Sequence, residues 1–597
     1  MENPFAVVSP EEMNAQKAHD LFVDLYSEYH MIKRPGNIIM SGARGCGKSM
    51  LIRCALPDVL MIPDKKFSEL EYLAFHVPVK KTSLSLTELR FLDNRHAPYL
   101  INEHFMVIHV LMHSYLSLSK LVFDSYVVEE YRDFFTNVYS RYLRLCGCKD
   151  DIKVDYESPE TFFKSLYNHT EELQSNFILY ILNLNPNSDK IDPTYALPIL
   201  SFVRFIVPVF KELINLSGFP RNKNIYLFID DADNLSKTQT EILNSWISCR
   251  TQPTISLKVS TQYELYKTYL TSNGILIETP HDYQSLNISI RYTTDHNNFK
   301  DKAVRILQKR LVNAGITCPP AGFFPIYEKQ EEGIRAEIQR IRDTYPSEGR
   351  GNRVDDDVRR YATPNYIRDL GGTRKSRATY RYAGLDNIIH LSSGIIRNLL
   401  DATANMYDAT YSTMEGNHSA ISFIPTEIQD RVSRNQADEF LYTELRKGGG
   451  ADSQELASIP VPKNDLEKLQ NLICAMGHTF HEILVSNRSE RKVFSIALTN
   501  IPDNDVERVL KLGVRLGYFH EATIGNKEGN GRTWLYILNR RLAPSFILDP
   551  TGFQGYLFMT NEDLHKAMNT GKQLRQIIDS DEDNEVGQLS LFDIWED

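Results

Sequence analysis

The stretch Gly42-Ala43-Arg44-Gly45-Cys46-Gly47-Lys48-Ser49 fits G-x-x-x-x-G-K-[ST], the loop that cradles polyphosphates. Before it, Asn37-Ile38-Ile39-Met40-Ser41 reads as a short buried strand. After it, Met50-Leu51-Ile52-Arg53-Cys54-Ala55-Leu56 reads as the first turns of a helix. The motif needs that strand–loop–helix setting. Its glycines let backbone N–H groups turn towards phosphate, and the helix N-terminus adds a positive dipole end. Lys48 is placed to reach the β- and γ-phosphates and Ser49 to ligate Mg²⁺. The expected nucleotide set is Gly42, Gly45, Gly47, Lys48, Ser49 and Met50, with ATP and Mg²⁺ as cofactors. An accidental glycine-rich turn is the competing reading, and the flanking pattern argues against it.

A second segment supplies the acidic half of such a site. Asn224-Ile225-Tyr226-Leu227-Phe228-Ile229 runs into Asp230-Asp231-Ala232-Asp233. An apolar strand ending in an acidic pair is the Walker B pattern. Asp230 is expected to hold Mg²⁺, directly or through water, and Asp231 to orient or activate the attacking water. Taken alone, the segment reads equally as an acidic turn after a buried strand. The next strand, Thr254 to Val259, ends in Ser260-Thr261-Gln262, where a polar side chain can sense a γ-phosphate. Arg250, just before it, reads either as a solvated helix-end arginine or as an arginine finger for a neighbouring subunit.

The chain has 597 residues, too many for one core, so three or four domains are expected. Forty-two per cent hydrophobic and 24% charged residues suit a soluble globular protein. A net charge of −10 argues against a whole-surface polyanion binder but leaves room for a local basic patch. The seven cysteines are scattered, and Cys146-Gly147-Cys148 is too tight for a zinc knuckle, so reduced thiols are expected. No signal peptide and no apolar run of membrane-spanning length is read, which points to the cytoplasm and away from membranes.

The pattern predicts an amphipathic helix near residues 10–30, with Leu21 and Leu25, and Phe22 and Tyr26, on shared faces. Long helical patterns fill residues 60–220, including Phe105 to Met112 and Tyr131 to Leu145. Short strands are expected at Gly274–Ile277 and Ser285–Ile290. Residues from Pro346 to Tyr382 read as a basic loop, with Tyr361, Tyr366 and Tyr380 interleaved among arginines. That composition suits phosphate contact and base stacking, or a solvated loop. A helix follows Leu391-Ser392-Ser393-Gly394-Ile395-Ile396-Arg397, and Arg397 sits where a nucleotide-facing lid arginine would. A surface arginine is the alternative.

Walker A, Walker B, a polar strand end and S-G-x-x-R on a lid helix, in that order, resemble the AAA+ family. The nearest likeness is to origin-recognition-complex-like ATPases, which carry a C-terminal winged helix after the lid. The resemblance covers residues 1–60 and 220–400, and more loosely 463–560. It implies an α/β fold: an AAA+-like P-loop NTPase parallel sheet with a large helical insertion, a helical lid and a C-terminal winged-helix-like domain. The expected division is 1–60 and 220–345 for the ATPase core, 61–219 for the insertion and 346–445 for the basic loop and lid. Residues 463–570 would form the winged-helix-like domain, and 579–597 an acidic tail. The sequence departs from the family in two ways. Asp231 stands where members carry Glu, as in signalling NTPases of the STAND type, and the gap between Lys48 and Asp230 is long.

In the last domain a helix from Asn504 to Gly517 precedes two strands, His520 to Ile524 and Thr533 to Leu538, around a glycine-rich basic loop. This pattern is winged-helix-like. Lys527 and Arg532 on the wing, with Arg540 and Arg541 beyond, are expected to contact DNA phosphates. A winged helix used for protein contacts is the alternative. Near the end, Gln588-Leu589-Ser590-Leu591-Phe592 is similar to the Q-L-x-L-F peptide with which bacterial proteins dock on the replicative sliding clamp. Gln588 offers an amide, and Leu591 and Phe592 an apolar plug. A short tail packed on its own domain is the competing reading.

Two functions follow as expectations. One is an ATPase that acts on DNA and couples nucleotide state to DNA or partner engagement, as a homo-oligomer or hetero-complex. The other is a slow-hydrolysing switch that recruits a separate effector protein. By analogy, either suits bacterial antiviral defence or mobile-element control.

Overall fold

Ile225 to Ile229 are buried without a break, and such runs belong to strands covered on both faces of a parallel sheet. The computed structural model places them so. It describes residues 2–23, 27–79, 89, 97–148, 152–183, 198–249, 254–263, 265–288, 296–345, 354–371, 379–414, 421–445, 463–488, 491–525, 532–551, 555–571 and 586–588. The chain divides into two compact units: Val8–Ser289, and Met1–Val7 with Ile290–Asp597.

The first unit opens with helix α1 (Ala15–Leu21), shorter than the helix expected over 10–30, of which residues 24–26 lie outside the described residues. Strand β1 (Ile38–Gly42) leads through the P-loop into α2 (Lys48–Cys54). Strand β2 (Tyr72–Pro78) follows, then the long helices α3 (Pro98–Leu118) and α4 (Pro159–Leu182). Strand β3 (Asn224–Asp230), helix α5 (Lys237–Ile247), β4 (Ile255–Gln262) and β5 (Gln284–Asn287) complete the unit. The sheet order is β2-β3-β4-β1-β5, and every pairing is parallel. Register aligns Gly42 with Gln262 and Pro78 with Asp230, so the P-loop and the acidic turn leave the same edge of the sheet. Carboxyl edges of this kind are where open α/β sheets bind ligands.

Two expectations change here. The segment 61–219 is not wholly helical, because β2 within it is an edge strand of the sheet. Gly274–Ile277 forms no strand, only an isolated bridge between Leu270 and Leu276. The insertion joining β2 to β3 shares one core with the sheet. Phe75 and Val77 of β2 are buried in it with Phe105, Phe177 and Phe210. The Phe105 and Phe177 rings stack at 4.6 Å between α3 and α4. The expected helix from Tyr131 to Leu145 widens into a π-turn at Phe134–Tyr139.

In the second unit, α6 (His296–Asn313), α7 (Glu328–Thr344), α8 (Val354–Gly371), α9 (Leu385–Leu391), α10 (Ile396–Thr413) and α11 (Thr426–Asp438) precede the C-terminal domain. Helix α8 corrects the loop expected from Pro346 to Tyr382. Asp355, Asp356 and Asp357 fill its first turn, where carboxylates oppose the positive end of the helix dipole. It packs on α7 so closely at Gly333 that a Cβ there would lie 2.3 Å from Tyr366 Cε2. The first residues, expected in the ATPase core, belong to this unit. Phe5 is fully buried against Phe323, Phe324 and Tyr407, and Arg310 donates to the carbonyls of Pro4 and Ala6. The stretch 290–345 was likewise expected in the core.

The C-terminal domain runs α12 (Lys463–Val485), β6 (Val493–Leu498), α13 (Asn504–Arg515), β7 (Phe519–Gly525), β8 (Arg532–Leu538), β9 (Gly555–Met559), α14 (Asn561–Thr570) and β10 (Val586–Gln588). A helix followed by the antiparallel β7–β8 hairpin gives the winged-helix-like arrangement. The sheet order is β10-β9-β6-β8-β7. Its helices close one core with Leu469, Leu472, Val506, Val509 and Leu538.

Candidate nucleotide site

The P-loop needs backbone that only glycine adopts cheaply. Gly45 has φ 85° and Gly47 φ 108°, both in the left-handed region, and Gly47 sits at the entry to α2. Lys48 is buried. Its Nζ donates to the carbonyl oxygens of Gly42 at 2.8 Å and Ala43 at 3.2 Å, so the cation folds back over the loop it serves. Met50 lies in the first turn of α2, but its side chain packs on an apolar cluster of Met13, Ala18 and Val59.

Asp230 ends β3 and is 1% exposed. A buried carboxylate needs donors, and four groups supply them. Ser260 Oγ and the Asp231 N–H donate to Oδ1, the latter at 3.1 Å. His76 Nε2 lies 3.3 Å from Oδ2, and Ser49 adds a side-chain hydrogen bond. Burial alone would raise the Asp230 pKa. The hydrogen bond and charge of His76, then the bonds from Ser260 and Ser49, outweigh it and hold the carboxyl below its ordinary value. The P-loop serine and the acidic strand end therefore meet.

Asp231 takes a left-handed conformation, φ 57° and ψ 45°, which aspartate tolerates better than most residues. Its N–H is pinned by Ser260 Oγ at 3.0 Å. Gln262 donates to both oxygens of Asp233. At the strand end Ser260-Thr261-Gln262, where a polar side chain was expected to sense a γ-phosphate, Ser260 and Gln262 brace the acidic turn.

Sequence reading missed His76. It lies on β2, opposite Phe228 rather than near either motif, and only sheet pairing brings it to Asp230. The polar residue breaking the apolar run Tyr72-Leu73-Ala74-Phe75-His76-Val77 was its one signal. Behind it, His109 Nε2 on α3 meets the carbonyl of Pro78 at 2.8 Å. Burial pushes His109 down to about 4, against the opposing effect of that bond. Burial, then the charges of His109 and His76, push His113 down to about 3.

The remaining expected residues fare differently. Arg250, Lys527, Leu591 and Phe592 lie outside the described residues. Arg397 stands in the first turn of α10, in the other compact unit, and its lid assignment rests on sequence alone. The backbone of Gln588 pairs with Gly555 in the C-terminal sheet. Arg532 is exposed on β8, two residues before the exposed Trp534, which sequence reading did not single out. Arg540 is corrected outright. It is 2% exposed, its Nε donates to the Pro550 carbonyl at 2.9 Å, and its guanidinium lies 4.8 Å over the Phe494 ring. A side chain so enclosed holds the core and cannot reach a phosphate. Arg541 is half-buried with its guanidinium 4.7 Å over Phe440, which ties it down as well.

Among the described residues, no helix is long and apolar enough to cross a membrane. None of the curated proteins compared with the chain matches it. The chain is similar to the Orc1 protein of Aeropyrum pernix, solved in complex with DNA, at 11% identity. That match covers 91% of this chain and 94% of the other, with a TM-score of 0.27. It is also similar to Cdc6p of Pyrobaculum aerophilum at 12% identity, over 95% of this chain and 98% of the other, with a TM-score of 0.26. A family model described as ORC-CDC6-like matches residues 3–559, a span that takes in the P-loop, the acidic turn and the C-terminal domain through β9. The chain belongs to the ORC-CDC6-like family.

Proposed function

We propose that this protein is an ATP-binding and ATP-hydrolysing AAA+ ATPase that acts on DNA and couples its nucleotide state to DNA or partner engagement. The observation that carries this reading is the meeting of Ser49 and the buried, ionised Asp230 at the sheet edge from which the P-loop leaves. A hydroxyl and a carboxylate are hard oxygen donors, a set that fits Mg²⁺. Bound there, Mg²⁺ would offset negative charge on the β- and γ-phosphates. Lys48 would exchange the carbonyls of Gly42 and Ala43 for phosphate oxygens. Asp231 would orient the attacking water. Lys48→Ala tests the assignment in a nucleotide-binding titration: binding should be lost, and retained full affinity sinks it.

DNA engagement is assigned to the β7–β8 hairpin, with Arg532 as its phosphate contact. The sequence 588–592 is assigned to sliding-clamp docking. Deleting those five residues should abolish clamp capture and leave ATP and DNA binding intact; unchanged capture returns the peptide to its own domain.

One observation favours the slow switch as a second reading. Asp231 is a methylene shorter than the usual glutamate, and its backbone is pinned by Ser260. Turnover separates the two: about 1 s⁻¹ or faster marks a working ATPase, near-zero turnover with tight binding a switch that recruits an effector.

A further inference from the structure

His76 is not part of either nucleotide motif, yet its ring nitrogen is one of the groups fixing Asp230. Side chains alternate along a strand, and Phe75 and Val77 on either side of it are buried in the core shared with the insertion. His76 therefore faces the other side of β2, with its side chain 20% exposed. Asp230 Oδ1 is already taken by Ser260 and the Asp231 N–H, so His76 is the contact that orients Oδ2 from the neighbouring strand. Donors that hold a metal-binding carboxylate govern how well it binds, and losing one typically costs 10–100-fold in metal affinity or activity.

The strand carrying His76 is gripped at its end by the helical insertion. His109 of α3 meets the carbonyl of Pro78, two residues beyond His76, and the His113 ring packs 4.5 Å from His109. The insertion also connects β2 directly to β3, the strand that carries Asp230.

We infer that His76 is a positioning residue that sets how firmly Asp230 holds the divalent cation of a bound nucleotide, and that β2 makes this hold sensitive to the seating of α3. The inference rests on the P-loop being an ATP site.

The test uses the full chain and a fluorescent ATP analogue, titrated in Mg²⁺ and again in EDTA. For the parent, affinity should be higher in Mg²⁺. His76→Ala should shrink that Mg²⁺-dependent gain by about 10-fold or more and leave the EDTA affinity unchanged. A merely structural loss would weaken both. His76→Gln, which keeps an N–H donor at similar reach, should recover most of the gain. His109→Ala should shrink the gain in the parent but add little to His76→Ala, since residues acting through one strand are non-additive. A parent-like Mg²⁺ gain in His76→Ala overturns the positioning role. Additive losses overturn the coupling through β2. A parent that binds no analogue in either condition overturns the ATP site itself, and this inference with it.

Discussion

Gln262 grips Asp233 with both of its amides: the backbone N–H reaches Oδ1 at 3.1 Å and the side-chain Nε2 reaches Oδ2 at 2.9 Å. This pair ties the end of β4 to the turn that carries Asp231. Asp233 is nearly buried, so a lost donor leaves carboxylate oxygen without water to replace it. Gln262→Ala is expected to cost about 1–3 kcal/mol of stability in a denaturant melt. Gln262→Glu should cost more, because it sets two carboxylates against each other. Turnover should fall in both variants by more than nucleotide affinity does, since the turn positions Asp231 and not the P-loop.

Asp231 separates the two proposed activities. Asn tolerates the same left-handed backbone and has the same length, so Asp231→Asn should fold and bind ATP as the parent does. If the carboxylate orients water, turnover should drop by about 10²-fold or more. Asp231→Glu restores the missing methylene and should raise turnover in a steady-state phosphate-release assay. A glutamate variant no faster than the parent would place the limit elsewhere in the cycle.

The nucleotide loop was legible because all its parts lie within eight consecutive residues, and Asp230 because it ends an unbroken apolar strand. His76 was not, because its contact with Asp230 spans 154 residues and exists only once β2 pairs with β3. Charge patterns misled in a different way. Arg540 and Arg541 read as a basic pair beyond the wing, but sequence does not show that the turn Arg540–Leu542 folds Arg540 inward over the Phe494 ring. The basic stretch from Pro346 to Tyr382 read as loop through its polarity, although the acidic first turn of the helix within it, Val354–Gly371, is a helix-start signal. Phe5 showed no periodicity to place it, and only the tertiary cluster of Phe323, Phe324 and Tyr407 explains its burial.

Acid should loosen the C-terminal domain through one network. Hydrogen bonding by the Val506 N–H, then by His565, holds Asp503 below its ordinary carboxylate value. The bond from Lys468 does the same for Asp505, against the effect of burial. A carboxylate depressed in the folded state adds stability above its unfolded pKa and loses it as pH falls through the folded value. The contribution should therefore be full from neutrality down to about pH 4 and decline below that. Thermal melts from pH 7 to pH 3 should show the melting temperature falling only at the acid end. Asp503→Asn should flatten that fall. A decline already under way near pH 6 would assign the acid sensitivity to other groups.

Arg532 and Arg540 give the sharpest separation, because sequence treats them alike and the structure does not. Arg540→Ala removes a buried guanidinium, leaves the Pro550 carbonyl without its donor and opens space beside Phe494. It should destabilise by about 2–4 kcal/mol and leave the salt slope of DNA binding unchanged under conditions where the variant is folded. Arg532→Ala should do the reverse. Its side chain is exposed, so the substitution should change stability little. Losing one phosphate contact should weaken binding evenly across DNA sequences and lower the salt slope by about one. An Arg540→Ala variant that melts like the parent and loses salt-dependent affinity would return that residue to the DNA interface. An Arg532→Ala variant with parent affinity would take the hairpin out of it, and protein contact would become the reading of the winged-helix-like domain.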